Sequence, residues 1–539
     1  MEVGAEAFAQ LLPRLRRRIR RAAFVESNLC VTNLHVSTIP NSDFVPSLFD
    51  SPGERYLKTR QSVQRFTVTQ LGKCCFYTKY FSFHFRYVVH SYNFFLFPSM
   101  LGVRDVEFTL SASSIQFLSH YGFDYNKFLK DGIPYMNEVQ EKILRQHLLA
   151  GSWTFHSTAN RDVLRKVIDE VTCWIAVAEE EETMILQDLS DYHVLEVQLV
   201  LRQALQNVWT EPLGSKKVMV KKVSPQHRQL LENSSCDPCQ AELILLSARG
   251  FTNLFQILVE AKKPLVGHNM LMDLMHLHDK FYKPLPESYE EFKRNIHNLF
   301  PVLIDTKTVT KSMKKNYLFP RVSSLSEVYA VLCSSSLNPK DPLWPVIALA
   351  SDCSRYAEKE SPHEAGYDAF LCGSAALGRN KTLFCFVFWF SDAVEADPSF
   401  SQYLTVLAEH VNQVNFIRGG VSSINFSGED APCHRPPALV VHVQGWPGLN
   451  ERQIYQEFKG LCRFDVRRLS KNQFILLSNK YKHVRLVLRD YKHHPHLQVS
   501  VYRHWRHSPR VNCLLQVSGI VALWSLLAFV LGGAPSCSL

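Results

Sequence analysis

The chain has 539 residues, 46% of them apolar and 20% charged, with a formal net charge of +10 and a pI of about 8.9. That balance excludes a disordered polymer and leaves room for two or three packed domains. The 14 cysteines are scattered, and no signal peptide is read ahead of them, so a reducing cytosolic compartment is expected rather than a disulfide framework; Cys236 and Cys239, a lone CxxC, read as loop thiols.

The first expected element is a helix. PRLRRRIRR, residues 13 to 21, lies opposite an apolar stripe of Leu11, Leu12, Leu15 and Ile19, which reads as a solvated basic face. A mitochondrial presequence is the weaker alternative, because Glu2 and Glu6 precede the arginines. FVESNLCVTNL, Phe24 to Leu34, then reads as a strand, and DYNKFLKDGIPYMNEVQEKILRQHLL as a helical run closing the first segment, residues 1 to 151. Residues 152 to 235 read as an insertion of two helices and a basic strand, KKVMVKKV.

The segment from 236 to 430 carries the chemistry-bearing strings. ILVEAKKPLVGHN reads as an apolar strand running into a helical MLMDLMHLH, which puts Asp273 in the first turns after the junction. A carboxylate there faces the carboxyl edge of a sheet, where open α/β folds place ligands. Asn269 reads as a cap for that helix, explaining His268-Asn269 without chemistry. His276 and His278 are two apart, share no helix face, and read as helix-surface and core residues. VLIDTK reads as another strand, with Asp305 at its end, where it could reach the cleft or be structural. In SPHEAGYDAF, His363 and Asp368 are five apart, about 140° from superposition on a helix, so both border one cleft if the loop-to-helix junction falls between them.

Residues 436 to 505 read as βαββαβ, the ferredoxin-like order used by RNA-recognition modules. Phe474, Trp446 and Tyr502 are its candidate base-stacking residues, with core packing the alternative for Phe474, since the Lys/Arg-Gly-Phe signature is missing. Basic residues crowd 491 to 510, a pattern an RNA ligand requires when aromatics are interleaved. Cys513 to Leu531 is uncharged, and about 19 residues at 1.5 Å rise cross roughly 30 Å of hydrocarbon. With Arg503, Arg506 and Arg510 on its N-terminal side, it reads as a tail anchor leaving the rest in the cytosol; a buried core helix is the alternative.

PLVGHNMLMDLMHLH and SPHEAGYDAF, in this order and separation, resemble the DEDD-type 3′-to-5′ exoribonucleases of the poly(A)-specific ribonuclease branch. ESYEEFKRNIHNLFPVLIDTKTV, RVSSLSEVY and PHEAGYDAFLCGS are similar to the animal germ-cell members of that branch, over roughly residues 45 to 531. The resemblance implies an α/β, RNase H-like exonuclease domain split by an RNA-binding-like helical insertion (152 to 235), an RRM-like domain (431 to 507) and a membrane anchor (508 to 539). It implies hydrolysis with two Mg²⁺ held by four carboxylates. Carried over by motif, Asp273 and Asp368 are metal ligands and His363 the general base. The implied partners are single-stranded RNA 3′ ends, a PIWI-family protein holding the RNA and a Tudor-type scaffold. The implied location is the cytosolic face of the endoplasmic reticulum or the mitochondrial outer membrane.

The first motif departs from the family pattern. The family places Asp-x-Glu on the first strand, in a string of the form FVxxDxEFTGL, and here those positions hold Asn28 and Cys30. Alternate strand residues share a face, hence the spacing. Asn28 is neutral and Cys30 a soft ligand, whereas Mg²⁺ takes anionic oxygen. Glu26 lies on the same face, displaced by one strand repeat of roughly 6 to 7 Å. The mismatch is a block, residues 26 to 46, and comparable aromatic-rich blocks recur at 74 to 89 and 377 to 395. Two explanations stay open: alternative or misassigned exons, or a pseudoenzyme. Three functions follow as expectations: a membrane-tethered exoribonuclease trimming PIWI-bound precursors or poly(A) tails, an inactive RNA-binding relative, and a membrane scaffold.

Overall fold

Apolar residues at alternate positions build the strands of this chain, and apolar residues three and four apart build the helices that cover them. The structure, a computed structural model, describes residues 1–31, 46–81, 84–99, 106–149, 161–187, 189, 191–213, 217–232, 245–315, 324–334, 346–388, 400–445, 448–461 and 464–531. Cys236, Cys239 and Trp446 lie outside the described residues. Two units are distinguished, the first comprising Met1–Val45, Tyr56–Asn415 and Ser423–Glu429, the second Pro46–Arg55, Phe416–Ser422 and Asp430–Leu539.

The first unit begins with β1 (Glu2–Val3), α1 (Ala5–Arg21), β2 (Phe24–Val31), β3 (Val68–Phe81), β4 (His84–Pro98), α2 (Ala112–His120) and β5 (Ile133–Tyr135). There follow α3 (Arg161–Val177), β6 (Thr183–Leu186), α4 (Asp191–Ala204), β7 (Val208–Pro212) and β8 (Val218–Lys222). The chain continues with α5 (Phe251–Ala261), β9 (Leu265–Gly267), α6 (Leu271–Leu277), β10 (Leu303–Asp305), β11 (Val346–Leu349), α7 (Ala365–Phe388) and the paired β12 (Gln413–Asn415) and β13 (Ser423–Asn425).

The main sheet runs β1-β4-β3-β2-β9-β10, with β5 and β11 also pairing with β4. β2 is antiparallel to β3 and parallel to β9. Directly paired residues share a face, so Phe24 and Phe76, and Glu26 and Cys74, lie on one side of the sheet. That side packs against α7: Phe24 stacks on Phe76 at 4.5 Å and on Phe400 at 4.4 Å, and Ala369, Phe370, Cys372 and Ala376 join the same core. α1 buries Phe8, Leu11, Leu15 and Ile19 while Arg14, Arg16, Arg17 and Arg20 stay exposed. The aromatic-rich block at 74 to 89 supplies Cys74, Cys75, Phe76, Tyr87 and Val89 to the interior.

Three local expectations are corrected. The run DYNKFLKDGIPYMNEVQEKILRQHLL is not one helical stretch: helices Tyr125–Asp131 and Glu138–Leu149 flank the strand β5. The string ILVEAKK is not strand: Ile257 to Ala261 end α5, which buries Phe251, Leu254, Phe255 and Leu258 at helical spacing, and extended pairing starts only at Leu265. Lys262, at φ 47°, is the left-handed residue that stops the helix. The last strand of the βαββαβ segment read over residues 436 to 505 ends at Val501, because His504–His507 forms a helical turn.

Within residues 152 to 235, β6, β8 and β7 form a three-stranded sheet against α3 and α4, around Val171, Val197, Leu201, Val218 and Val220. Arg202 lies over the Trp209 ring at 3.6 Å. The second unit contains β14 (Leu439–Val443), α8 (Glu451–Lys459), β15 (Asp465–Ser470), β16 (Gln473–Leu477), α9 (Tyr481–Asp490) and β17 (Leu497–Val501), with α10 (His504–His507) and α11 (Pro509–Leu531) after them. Its antiparallel sheet has the order β15-β16-β14-β17. Leu439, Val441, Phe474, Leu476 and Leu497 pack with Ile454, Phe458, Val484 and Val487 of the two helices. Among the described residues α11 alone is long and apolar enough to cross a membrane, and none of its span is buried.

Candidate functional site

The start of α7 is pinned to the main sheet by polar side chains inside otherwise apolar strands. The Ala365 amide donates to Gln70 Oε1 at 3.1 Å and the Gly366 amide to Asn93 Oδ1 at 2.6 Å, while Ser91 Oγ donates to the Gly366 carbonyl at 2.7 Å. Asn93 Nδ2 donates to Tyr356 Oη at 2.7 Å and also to Glu364. Gln70, Ser91 and Asn93 are buried, so each of these bonds is made away from water. Gly72 completes the clamp by having no side chain: a Cβ there would lie 1.9 Å from the Ala365 carbonyl oxygen. None of these four positions was singled out from the sequence; the available signal was glutamine and asparagine within long apolar strands.

α7 begins at Ala365, so the loop-to-helix junction does fall between His363 and Asp368. His363 is left-handed, at φ 66°, and its amide donates to Asp368 Oδ1 at 3.3 Å. Its ring lies edge-on to Tyr121 at 4.3 Å and to Phe117 of α2 at 4.8 Å, and burial lowers its pKa, which favours the neutral imidazole. Burial, with Glu364 adding to it, pushes the Asp368 carboxyl up to about 7 against the amide of His363.

Asp273 lies in the first turn of α6 and is half-buried. The turn before it is organised by Asp305. Asp305 Oδ1 accepts from the Asn269 amide at 2.8 Å and the Lys307 amide at 2.9 Å; Oδ2 accepts from Met270 at 3.1 Å and Asn415 at 2.9 Å. A fully buried carboxylate with four backbone donors is structural. The expected cap is thereby corrected: Asn269 sits at φ 63° with its side-chain oxygen taken by Asn415 Nδ2 at 2.6 Å, and Asp305 receives the amides. His268 Nδ1 meets Thr306 Oγ1 at 2.8 Å.

His276 is not a surface residue. It and His278 are both buried, bonded through Nδ1 to the carbonyls of Met272 and Lys283, each at 2.8 Å, and burial lowers both to about 4.

On β2, Asn28 pairs through its backbone with Gly72 and Cys30 with Gln70, so both residues lie in register with the clamp. The side chains of Asn28 and Cys30 are outside the described residues. Glu26 is fully buried and neither carboxylate oxygen has a hydrogen-bond partner. Burial holds it well above the usual carboxylate range; Asp273 and Asp368 add to the rise, and the Cys372 thiol and Lys73 oppose it. Glu26 therefore senses both Asp273 and Asp368. Among the described residues, however, no three of His, Cys, Asp and Glu are gathered closely enough to hold a metal ion. Asn28 is neutral and Cys30 a soft thiol, so neither supplies the anionic oxygen that Mg²⁺ takes.

In the second unit, Phe474 is fully buried in the core between sheet and helices. Its ring is closed to a nucleobase, which corrects the stacking role expected for it. Tyr502 is half-buried, with its hydroxyl 3.3 Å from His504 Nδ1.

The family model described as CAF1 family ribonuclease matches residues 3–375. The mouse protein named poly(A)-specific ribonuclease PNLDC1 is 54% identical over 534 residues, covering 99% of either chain. Its human counterpart is 57% identical over 488 residues, 90% of this chain and 93% of that one. The pre-piRNA 3′-exonuclease trimmer of Bombyx mori is 26% identical over 535 residues, 97% of this chain and 96% of its own. The Mg²⁺- and Mn²⁺-bound structure of S. pombe Pop2p aligns at a TM-score of 0.34 and 12% identity, over 77% of this chain and 97% of that one. The chain belongs to the CAF1 ribonuclease family, in the branch of the poly(A)-specific ribonuclease-like trimmers, a family of 3′-to-5′ exoribonucleases.

Proposed function

We propose that this chain is an RNA 3′-end-binding member of its family, tethered to a membrane, whose hydrolytic centre is disabled at the first motif. The observation that carries this reading is the contrast at one sheet position. The clamp that sets Asp368 beside β2 is intact, while the paired strand bears Asn28 and Cys30, and no three metal-binding side chains gather among the described residues. Two close divalent cations need several anionic ligands to offset their repulsion. Removing two of four lowers turnover by several orders of magnitude and leaves the surfaces that bind RNA in place.

The proposed ligand is the 3′ end of single-stranded RNA, of the precursor class named for the silkworm relative, presented by a PIWI-family protein with a Tudor-type scaffold. The βαββαβ order and antiparallel sheet of the second unit support an RRM-like reading of it. The length and exposure of α11 support a tail anchor, with the rest of the chain on the cytosolic face of the endoplasmic reticulum or mitochondrial outer membrane.

Glu26 favours a second reading, in which the chain trims slowly. It is a fully buried carboxylate whose pKa is raised further by Asp273 and Asp368, and would act as a displaced substitute for the missing acids. The deciding experiment is Mg²⁺-dependent trimming of a 5′-labelled single-stranded RNA by the full chain beside Asp368→Ala. Bound RNA and no shortened products from either protein is the expected result. A product ladder that vanishes in the variant would overturn the proposal in favour of the second reading.

A further inference from the structure

α11 is 23 residues long, about 35 Å of helix, slightly more than a hydrocarbon core of roughly 30 Å. Its second residue, Arg510, therefore falls at the boundary of the apolar layer, where an arginine stem lies along hydrocarbon and its head reaches outward. Just before it stand Tyr502, Arg503, Trp505 and Arg506. Trp505 is 63% exposed on the four-residue turn His504–His507, and Arg503, Arg506 and Arg510 are exposed as well. Tryptophan with one apolar body and one donor is most stable at the boundary of water and lipid. No Asp or Glu occurs anywhere after Asp490, and the Asp490 carboxylate is engaged by Arg489 at 2.8 Å. The cationic charge next to the span is uncompensated along the sequence.

We infer that Tyr502 to Arg510 form a collar that binds the headgroups of anionic phospholipids and seats Trp505 in the interface. The inference rests on the reading of α11 as a membrane span. The same arginines had suggested an RNA surface. Position decides between the two. Arg506 precedes the apolar helix by three residues, a distance within a Debye length of about 8 Å from the headgroup plane, so an anionic leaflet acts on it continuously.

The test reconstitutes the full chain in vesicles. Flotation after an alkaline wash reports whether the chain spans the bilayer. Quenching by brominated lipid, taken as the difference between the chain and Trp505→Phe, then isolates Trp505 from Trp524. Brominated phosphatidylserine is expected to quench that difference signal several-fold more than brominated phosphatidylcholine at equal mole fraction, with the preference lost in Arg503→Gln/Arg506→Gln/Arg510→Gln. A chain removed by the wash overturns both the span and the collar. A chain that floats but shows equal quenching by the two lipids overturns the collar alone. So does a preference erased by a short single-stranded RNA, which would assign the arginines to nucleic-acid phosphate.

Discussion

β2 and the start of α7 meet at one place in the main sheet, and they have been treated differently. The α7 side carries Asp368 and a set of buried hydrogen bonds from Gln70, Ser91 and Asn93 that fix where the helix begins. The β2 side keeps its pairing with β3 and β9 and its apolar anchor Phe24, and it carries Asn28 and Cys30, the positions proposed above to have lost the family's acids. Nothing in the clamp needs the identity of residues 28 and 30. Register is set by backbone pairing and by Gly72, so a chain of this family can retain the architecture of its site after the donors are gone. The proposal thus separates family membership from turnover, and the contrast between the two elements can be broken or sharpened by experiment.

The largest effect is expected from restoring the donors. Asn28→Asp with Cys30→Glu should raise Mg²⁺-dependent trimming by several orders of magnitude, and adding Asp368→Ala to that double variant should remove the gain. An inert double variant that still folds and binds RNA would show that β2 does not present residues 28 and 30 to Asp273 and Asp368.

The second effect is on pH dependence. An acid whose folded pKa is raised incurs no penalty below its unfolded value and loses stability as pH climbs to the folded one. Asp368, at about 7 against a usual 3.8, therefore destabilises the fold progressively from about pH 4 to pH 7, by on the order of 4 kcal/mol in total. His276 and His278, lowered from 6.5 to about 4, act oppositely: the stability they contribute is present above pH 6.5 and is lost as pH falls through 4. The two trends overlap in the parent chain, so chemical denaturation should be compared with Asp368→Asn, whose relative stability rises across that window. Mg²⁺ should leave the slope of the parent chain unchanged and flatten that of the restored double variant. A flattened slope in the parent would mean that Glu26, Asp273 and Asp368 already share a cation.

Much of this architecture was legible locally. The stripe of Leu11, Leu15 and Ile19, the junction between His363 and Asp368, and the alternating strands of residues 436 to 505 are patterns within a few turns or repeats of chain. At the site itself, what the sequence hides depends on partners distant along the chain. Asn269 looked like a cap until Asp305, on a neighbouring strand, was seen to take the amides. Phe474 had two readings because an aromatic at an alternating position packs inward or outward according to which face the helices cover, and they cover its face. The clamp was invisible for the same reason: the bonds from Gln70 and Asn93 reach residues 295 and 273 positions away.

Gly72→Ala and Asn93→Ala probe that clamp in order of decreasing effect. A Cβ on Gly72 meets backbone atoms of Ala365 and Gly366 that cannot swing aside, so α7 must move, at about 3 kcal/mol, and a restored β2 should lose its gain with it. Asn93→Ala removes no bulk conflict. It leaves the buried Gly366 amide without its acceptor and Tyr356 and Glu364 without the shared donor, a loss of about 1–3 kcal/mol by denaturation. Because α7 remains held by Gln70 and Ser91, the helix should loosen at its first turn rather than detach, and faster amide exchange confined to the first residues of α7 is the expected signature. Uniformly faster exchange along α7 would mean that Asn93 bears most of the clamp, and that the separation between an intact α7 side and an altered β2 side depends on one residue of β4.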